Sequence, residues 1–418
     1  MQCKLRNTLW SNCQPLFDSL LQPEVQQFIR ENENAALDKL LLSGKTIAGV
    51  AMSTLVEQIV SRQKAQQKTP FLLQVPKVIF PPKLSMEQCS SEITASYKAH
   101  LVEGATAVDL TGGAGIDTYF FSKRFKQIAY VESNLSLAQL TKHNFEQLKA
   151  NAITTHVLTA EAFLSKSKEG EFDFVYIDPA RRDSHKKKVF RFSDCTPNVV
   201  QLKEQVLKKT KQFMIKASPL VDIKLAVEEL GDVKEVHVVA VNNECKELLF
   251  LIENGNSAVP LIYASHYSKS RGWEKVKFSF AEERTSSPEY ALPQRYLYEP
   301  NAALLKAGTY KTLALRYGVY KLHPNTHLYT SEHRLEQFPG RSFEVLDVLK
   351  YDKKALALAL PSLKANLTCR NFPETVQQIR KKTKITEGGE DYLFATTDMH
   401  ENKIILHVKK MNTPDLED

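Results

Sequence analysis

Apolar positions recur every three to four residues through about residue 70, as in VQQFIRENENAALDKLLLS and MSTLVEQIVSRQKAQQK, a spacing that predicts helices with one buried face. No strand-like alternation interrupts them, so residues 1–75 are expected to form a small helical domain. TPFLLQVPKVIFPPKLS follows, and its proline pair, Pro81 and Pro82, forbids helix there. That stretch therefore reads as an extended connector.

From about residue 86 the pattern changes to short apolar runs: TAVDL, QIAYVE, THVLT, FDFVYID, QFMIKAS, EVHVVAV and ELLFLIE. Amphipathic stretches such as NLSLAQLTKHNFEQLKAN separate the first five. This alternation predicts an open, mostly parallel sheet covered on both faces over residues 76–256. The last two runs are joined only by NNECK and read as a β-hairpin. Residues 257–336 hold a helix-like EPNAALLKAGTYKTLALRYG, and residues 337–418 a strand, FPGRSFEVLDVLKYD, then a basic helix, TVQQIRKKTK. These two stretches are expected to form small α+β modules.

The first strand ends in VDLTGGAGIDT, which places Gly112, Gly113 and Gly115 where a strand turns into a helix. Glycine there lets the backbone approach a ligand, and the helix start offers unpaired N–H groups. The dinucleotide fingerprint would require a third glycine where Thr118 stands. Asp109 precedes the turn, Glu132 ends the second strand, and Glu161 follows the third. Acids at the carboxyl ends of successive parallel strands mark the crevice where such sheets bind ligands, and an acid in the place of Glu132 can accept both hydroxyls of a ribose.

Composition narrows the class. The chain has 418 residues, with 43% hydrophobic and 25% charged, which fits a globular protein of several domains. Six scattered cysteines form no CxxC pair and no zinc-ligating spacing with histidine, so reduced thiols in the cytoplasm are expected and no metal site is predicted. MQCKLRNTLW lacks the apolar core of a secretory signal. A net charge of +8 favours an anionic partner, nucleic acid being the commonest.

VDLTGGAG, YVES, TAEA and YIDPAR stand in the order and spacing of class I S-adenosylmethionine-dependent methyltransferases, and this part of the chain resembles that family. FPPKLSMEQCSSEITASYKA, YLYEPNAALLKAGTYK, YKLHPNTHLYTS and NFPETVQQIRKKTKITEGGEDYLFATT extend the resemblance to a bacterial RNA methyltransferase family with a C-terminal THUMP-like domain. The resemblance implies an α/β fold: a Rossmann-like, seven-stranded methyltransferase sheet with an N-terminal helical domain, a ferredoxin-like module and a THUMP-like module. It implies S-adenosyl-L-methionine as cofactor and RNA, either tRNA or rRNA, as substrate. Asp109, Thr111, Gly113 and Gly115 would then line the methionine side, Glu132 the ribose, and Glu161 with Ala162 the adenine edge, with Asp178 completing the cofactor-binding set. Gln88 or Ser91 would be a further contact; otherwise Ser90 or Ser91 caps a helix.

The family places its catalytic acceptor at the fourth strand exit, where YIDPARRD supplies Asp178 and Pro179. Enzymes that methylate exocyclic amines carry an aromatic ring there to stack on the base, whereas this chain has Ala180 and Arg181. Arg181 can stack through its guanidinium plane or clamp a phosphate, so it joins the catalytic set. Arg181, Arg182, Lys186, Lys187, Lys188 and Arg191 read as a phosphate-facing run, and Arg380, Lys381 and Lys382 as a second basic surface. Lys216 is either a charge partner at the crevice or a core-edge lysine that snorkels. Covalent methylation of a pyrimidine carbon needs a cysteine nucleophile; MIKASP offers Lys216 and Ser218 instead, and nothing in the sequence pairs Cys195 with a base. The acceptor is therefore expected to be a nitrogen or a hydroxyl. The rival readings are a nucleotide-dependent oxidoreductase and a non-catalytic RNA-binding protein on the same fold.

Overall fold

The structure, a computed structural model, describes residues 13–181, 191–255 and 258–411. These residues divide into two compact units: one runs to Val233 and adds the stretch from Leu249, the other holds Lys234–Leu248 and the rest from Ala258.

The first unit begins with helices α1 (Cys13–Leu20), α2 (Pro23–Glu31), α3 (Leu37–Leu42) and α4 (Met52–Lys68). Pro23 sits in the first turn of α2, where its missing N–H leaves no bond unmade. The apolar faces of these helices meet in one core of Phe17, Val25, Ile29, Leu55 and Ile59, which also takes in Ile79 and Leu140. After a 3-10 turn at Pro70–Gln74 and a turn in which Lys77 has φ +63°, the proline-rich connector runs without helix only over 78–82, up to α5 (Lys83–Gln88) and α6 (Glu92–Ala99). Its backbone groups are met by buried side-chain amides. Asn144 accepts from the Ile79 N–H at 3.0 Å and donates to its carbonyl at 2.7 Å. Gln58 does the same for Phe80, at 3.0 and 2.8 Å.

The strands are β1 (Gly104–Asp109), β2 (Phe125–Val131), β3 (Ile153–His156), β4 (Phe172–Ile177), β5 (Thr210–Ala217), β6 (Val233–Val241) and β7 (Glu244–Glu253). In the first unit their order is β7-β5-β4-β1-β2-β3. β1 pairs in parallel with both β2 and β4, so strand order reverses beside it and a crevice opens at its carboxyl end. Ala107, Val108, Phe174, Val175, Tyr176 and Ile177 are buried, as expected of parallel strands covered on both faces. The intervening helices are α7 (Ile116–Phe121), α8 (Leu135–Gln147), α9 (Ala160–Leu164), α10 (Val199–Leu207) and α11 (Ile223–Leu230).

In the second unit β6 turns into β7 through Asn242 and Asn243, both with positive φ, the backbone of a tight hairpin turn. β8 (Leu261–Ser268) lies parallel to β6, and β9 (Gly272–Ser279) antiparallel to β8, giving the order β9-β8-β6-β7. Residues 261–279, expected within a ferredoxin-like module, thus lengthen the sheet begun by the hairpin. The remaining strands are β10 (Tyr296–Pro300), β11 (Tyr320–His323), β12 (Thr326–Ser331), β13 (Gly340–Lys350), β14 (Asn366–Arg370), β15 (Asp391–Thr397) and β16 (Lys403–Lys410). They form one sheet in the order β11-β12-β10-β13-β16-β15-β14. Because β10 pairs with β13, the two expected C-terminal modules share a continuous sheet and one core around Leu297, Leu328, Phe343, Phe394 and Leu406.

A buried carboxylate ties the two halves of that sheet. Glu299, 2% exposed, accepts from Arg341, and Arg370 Nη2 lies 2.7 Å from its other oxygen. Removing one member of such a group strands the others without compensation. Replacing Glu299 with Gln should therefore lower stability by about 2 kcal/mol in chemical denaturation, allowing for the partial exposure of both guanidiniums. An unchanged denaturation midpoint would show that solvent already compensates the arginines.

Candidate active site

The site grows from the end of β1. Asp109 is 1% exposed, and both its oxygens are engaged: Oδ1 accepts from the Thr111 N–H at 3.0 Å and Oδ2 from the Thr118 hydroxyl at 2.6 Å. It bridges the strand end and the first turn of α7, so it shapes the glycine turn. Thr118, the residue in place of the third glycine, is its partner.

The glycines have distinct reasons. A Cβ on Gly112 would lie 2.2 Å from the ring of the buried Tyr130, and one on Gly115 would lie 2.4 Å from Thr141 Cγ2. Gly115 also has φ +76°, which suits glycine. Gly113, at φ +52°, faces open space: among the described residues only the Thr111 carbonyl comes within 4 Å of a Cβ there. Its carbonyl accepts from the Tyr130 hydroxyl at 2.6 Å and the Thr141 hydroxyl at 3.2 Å. Its N–H donates to Glu132 Oε2 at 3.0 Å, while Glu132 Oε1 accepts from the Asn134 N–H at 2.7 Å. Glu132 is thus half-buried and pinned beside the turn, with lone pairs left over for further donors.

Glu161 is exposed in the first turn of α9, whose start is capped by Thr159 accepting from the Ala162 N–H at 3.2 Å. At the exit of β4 the Asp178 N–H donates to the Thr111 hydroxyl at 2.7 Å, which fastens this exit to the glycine turn. Lys216 Nζ, at the exit of β5, lies 2.5 Å from Asp178 Oδ2. The charge-partner reading of Lys216 is the one the structure has. Pro179 is half-buried, and Ala180–Arg181 pairs with Cys195–Thr196 as a short antiparallel ladder.

Asp117 is the acid that sequence reasoning missed. It accepts from the Ser90 hydroxyl at 2.8 Å and the Tyr176 hydroxyl at 2.9 Å, and Lys98 Nζ lies 3.2 Å away. Lys98 is wholly buried. Burial works to raise Asp117, but Lys98, Lys216 and the hydrogen bonds of Ser90 and Tyr176 outweigh it and hold its carboxyl below the usual range. The available signal was local: a lysine among the apolar positions of EITASYKA and an acid just inside the glycine turn. Ser91 caps α6, accepting from the Thr94 N–H at 3.2 Å, while Ser90 reaches Asp117 instead. Burial pushes the Cys89 thiol up to about 11, so it holds almost no thiolate at neutral pH. Cys195 is buried, with Sγ 3.6 Å from the Arg191 carbonyl.

Of the basic residues, Arg182, Lys186, Lys187 and Lys188 lie outside the described residues, and Arg191 is exposed. Arg380 pairs with Glu387 and reaches the Ala365 and Ile385 carbonyls, and Lys382 pairs with Glu374 at 2.8 Å. Lys381 is exposed.

The strand order and this crevice define the class I methyltransferase fold. Models of a family described as conserved hypothetical protein 95, of a ferredoxin-like domain and of a THUMP-like domain match residues 89–237, 296–339 and 340–410. A crystal structure of a provisionally assigned methyltransferase from Porphyromonas gingivalis W83 is 32% identical, over 92% of this chain and 97% of that one, with a TM-score of 0.82. A provisionally assigned methyltransferase from Streptococcus mutans, solved with S-adenosylhomocysteine, is 18% identical over 39% of this chain and 96% of its own, with a TM-score of 0.29. An rRNA methylase from Streptococcus thermophilus is 14% identical over 40% and 98%, also at 0.29. No curated protein matches. The chain belongs to the methyltransferase family that carries a C-terminal THUMP-like domain.

Burial pushes the Asp109 carboxyl up to about 7, against the hydrogen bonds of Thr118 and Thr111 that pull it down. Its folded value lies above its unfolded one, so the native state holds the extra proton between about pH 4 and pH 7 and loses stability as pH rises through that window. Asp109→Asn should flatten that part of the stability profile and melt higher than wild type at pH 8. An unaltered profile would assign the slope to another group. Gly115→Ala forces both a left-handed backbone and a clash, and should lower stability by roughly 1–3 kcal/mol in denaturant titration.

Proposed function

We propose that the chain transfers a methyl group from S-adenosylmethionine to a nitrogen or hydroxyl of an RNA nucleotide. One observation carries the reading: the Asp178 exit is bonded to the same glycine turn whose Gly113 N–H is held by Glu132. A carboxylate for a nucleophile's proton and a carboxylate for ribose hydroxyls are thereby set on one short segment.

The residues fit the cofactor. Gly113 leaves open space at the turn, and Glu132 keeps acceptor capacity after its two backbone bonds. Asp109 and Thr111 hold the turn in shape, Gly113 and Gly115 give it room, Glu132 accepts from ribose, and Glu161 and Ala162 border the adenine. The cofactor supplies the activated methyl group. Asp178 accepts a hydrogen bond from the nucleophile, orients its lone pair and takes up its proton, and Pro179 sets the backbone direction beyond it. Arg181 contacts the acceptor nucleotide. The excess positive charge, with Arg182, Lys186, Lys187, Lys188, Arg191 and Lys381 as phosphate contacts and the THUMP-like domain as a second platform, supports RNA as the partner. Arg380 and Lys382 would serve only after leaving their carboxylates. An RNA partner agrees with a cytoplasmic location.

The test combines binding and transfer. S-adenosylhomocysteine should bind in calorimetry and NAD should not. Asp178→Ala should keep that binding within about threefold while lowering methyl incorporation into bulk RNA by about 100-fold or more. Absence of incorporation into any RNA pool by the wild-type chain would sink the reading.

A further inference from the structure

Four charges alternate in sign at the exits of β4 and β5, the start of α7 and the end of α6. Asp178 Oδ2 lies 2.5 Å from Lys216 Nζ. Lys216 also acts on Asp117. Asp117 Oδ1 lies 3.2 Å from Lys98 Nζ, which in turn donates to the Ser90 hydroxyl at 2.9 Å. The set is neutral as a whole, which is how so many ionised groups coexist with little water.

Lys216 is the member that serves two acids. Its side chain is 12% exposed, against 35% for Asp178, so it is held from the protein side while Asp178 opens outward. The Asp178 N–H is taken by Thr111 and Oδ2 by Lys216. Among the described residues, none hydrogen-bonds Oδ1. The charge of Asp178 is among those that push the Asp109 carboxyl up, so the two carboxylates repel when both are ionised. Without the ammonium, that repulsion would favour Asp178 turning out to solvent.

We propose that Lys216 is a positioning residue for methyl transfer, holding the Asp178 carboxylate by one oxygen so that the other is the fixed acceptor for the nucleophile's N–H or O–H. This rests on the transferase reading above. It adds a requirement on the substrate: the reacting atom carries a proton that Asp178 can accept. Lys216 touches neither cofactor nor substrate in this role. It works through Asp178.

The experiment uses the full chain, radiolabelled S-adenosylmethionine and unfractionated RNA from cells lacking this protein. Lys216→Met should lower kcat by about 100-fold while KM for the cofactor moves less than about threefold, and Lys216→Arg should recover about tenfold of the loss. A kcat within about threefold of wild type, or cofactor affinity falling in step with kcat, overturns the proposal. A second arm needs no activity: the affinities of sinefungin, which carries an ammonium in place of the methyl-bearing sulfonium, and of neutral-sulfur S-adenosylhomocysteine. Removing the Lys216 charge should raise the preference for sinefungin by about fivefold, and Asp178→Asn should abolish that gain. An unchanged preference overturns the proposal. If the wild-type chain methylates nothing, the transferase reading falls and this second arm alone decides the placement of Lys216. Should Lys216→Met fail to fold, Lys216→Gln carries both arms.

Discussion

The Asp109 carboxyl, bonded at once to the Thr111 N–H and the Thr118 hydroxyl, is the contact on which the site depends. It joins the end of a central strand to the first turn of α7 and so fixes the path of the glycines between them. Tyr130 and Thr141 close the turn from the other side through the Gly113 carbonyl. Thr111 carries the constraint onward, because its hydroxyl receives the Asp178 N–H. One buried acid thus sets the positions of two carboxylates at the crevice, Glu132 and Asp178. Its burial works against its ionisation, so the shape of the turn is bound up with proton uptake near neutral pH.

Around that turn the protein places charge where water is scarce and balances it internally. Lys98 and Asp117 would each be costly alone; side by side, with Ser90 and Tyr176 donating to the carboxylate and Lys216 adding charge, they offset one another. The Tyr176 hydroxyl matters here because its ring belongs to β4, two residues before Asp178. The strand that ends at Asp178 is therefore also tied, through Asp117, to α6 and α7.

Much of this was legible in the sequence, and the division is physical. The seven apolar runs of the first sheet, the hairpin at its end, the glycine turn and the acids after the strands are local signals, fixed by periodicity and by which residues tolerate a turn. Partners distant in sequence are not. Lys216 could be read as a snorkelling lysine because nothing near it names Asp178. Asp117 went unread because its partners Lys98 and Tyr176 lie on other elements of the chain. The basic helix TVQQIRKKTK looked like an open surface, whereas Glu387 and Glu374 hold two of its cations. Residues 261–279 continue a sheet begun earlier, a choice made by pairing that no short window encodes.

Helix α8 has a role that its amphipathic pattern conceals. Thr141 and Phe145 stand against Gly115, while Leu140 and Asn144 hold the N-terminal core and the Ile79 backbone. The same four residues thus serve the glycine turn and the proline-rich connector. A fragment cut at the start of the sheet would expose Leu140 and leave the Asn144 amide in a vacated groove. The N-terminal helices are in that sense one wall of the crevice-bearing sheet, and evolution could not trim them without refitting the helix that shapes the glycine turn.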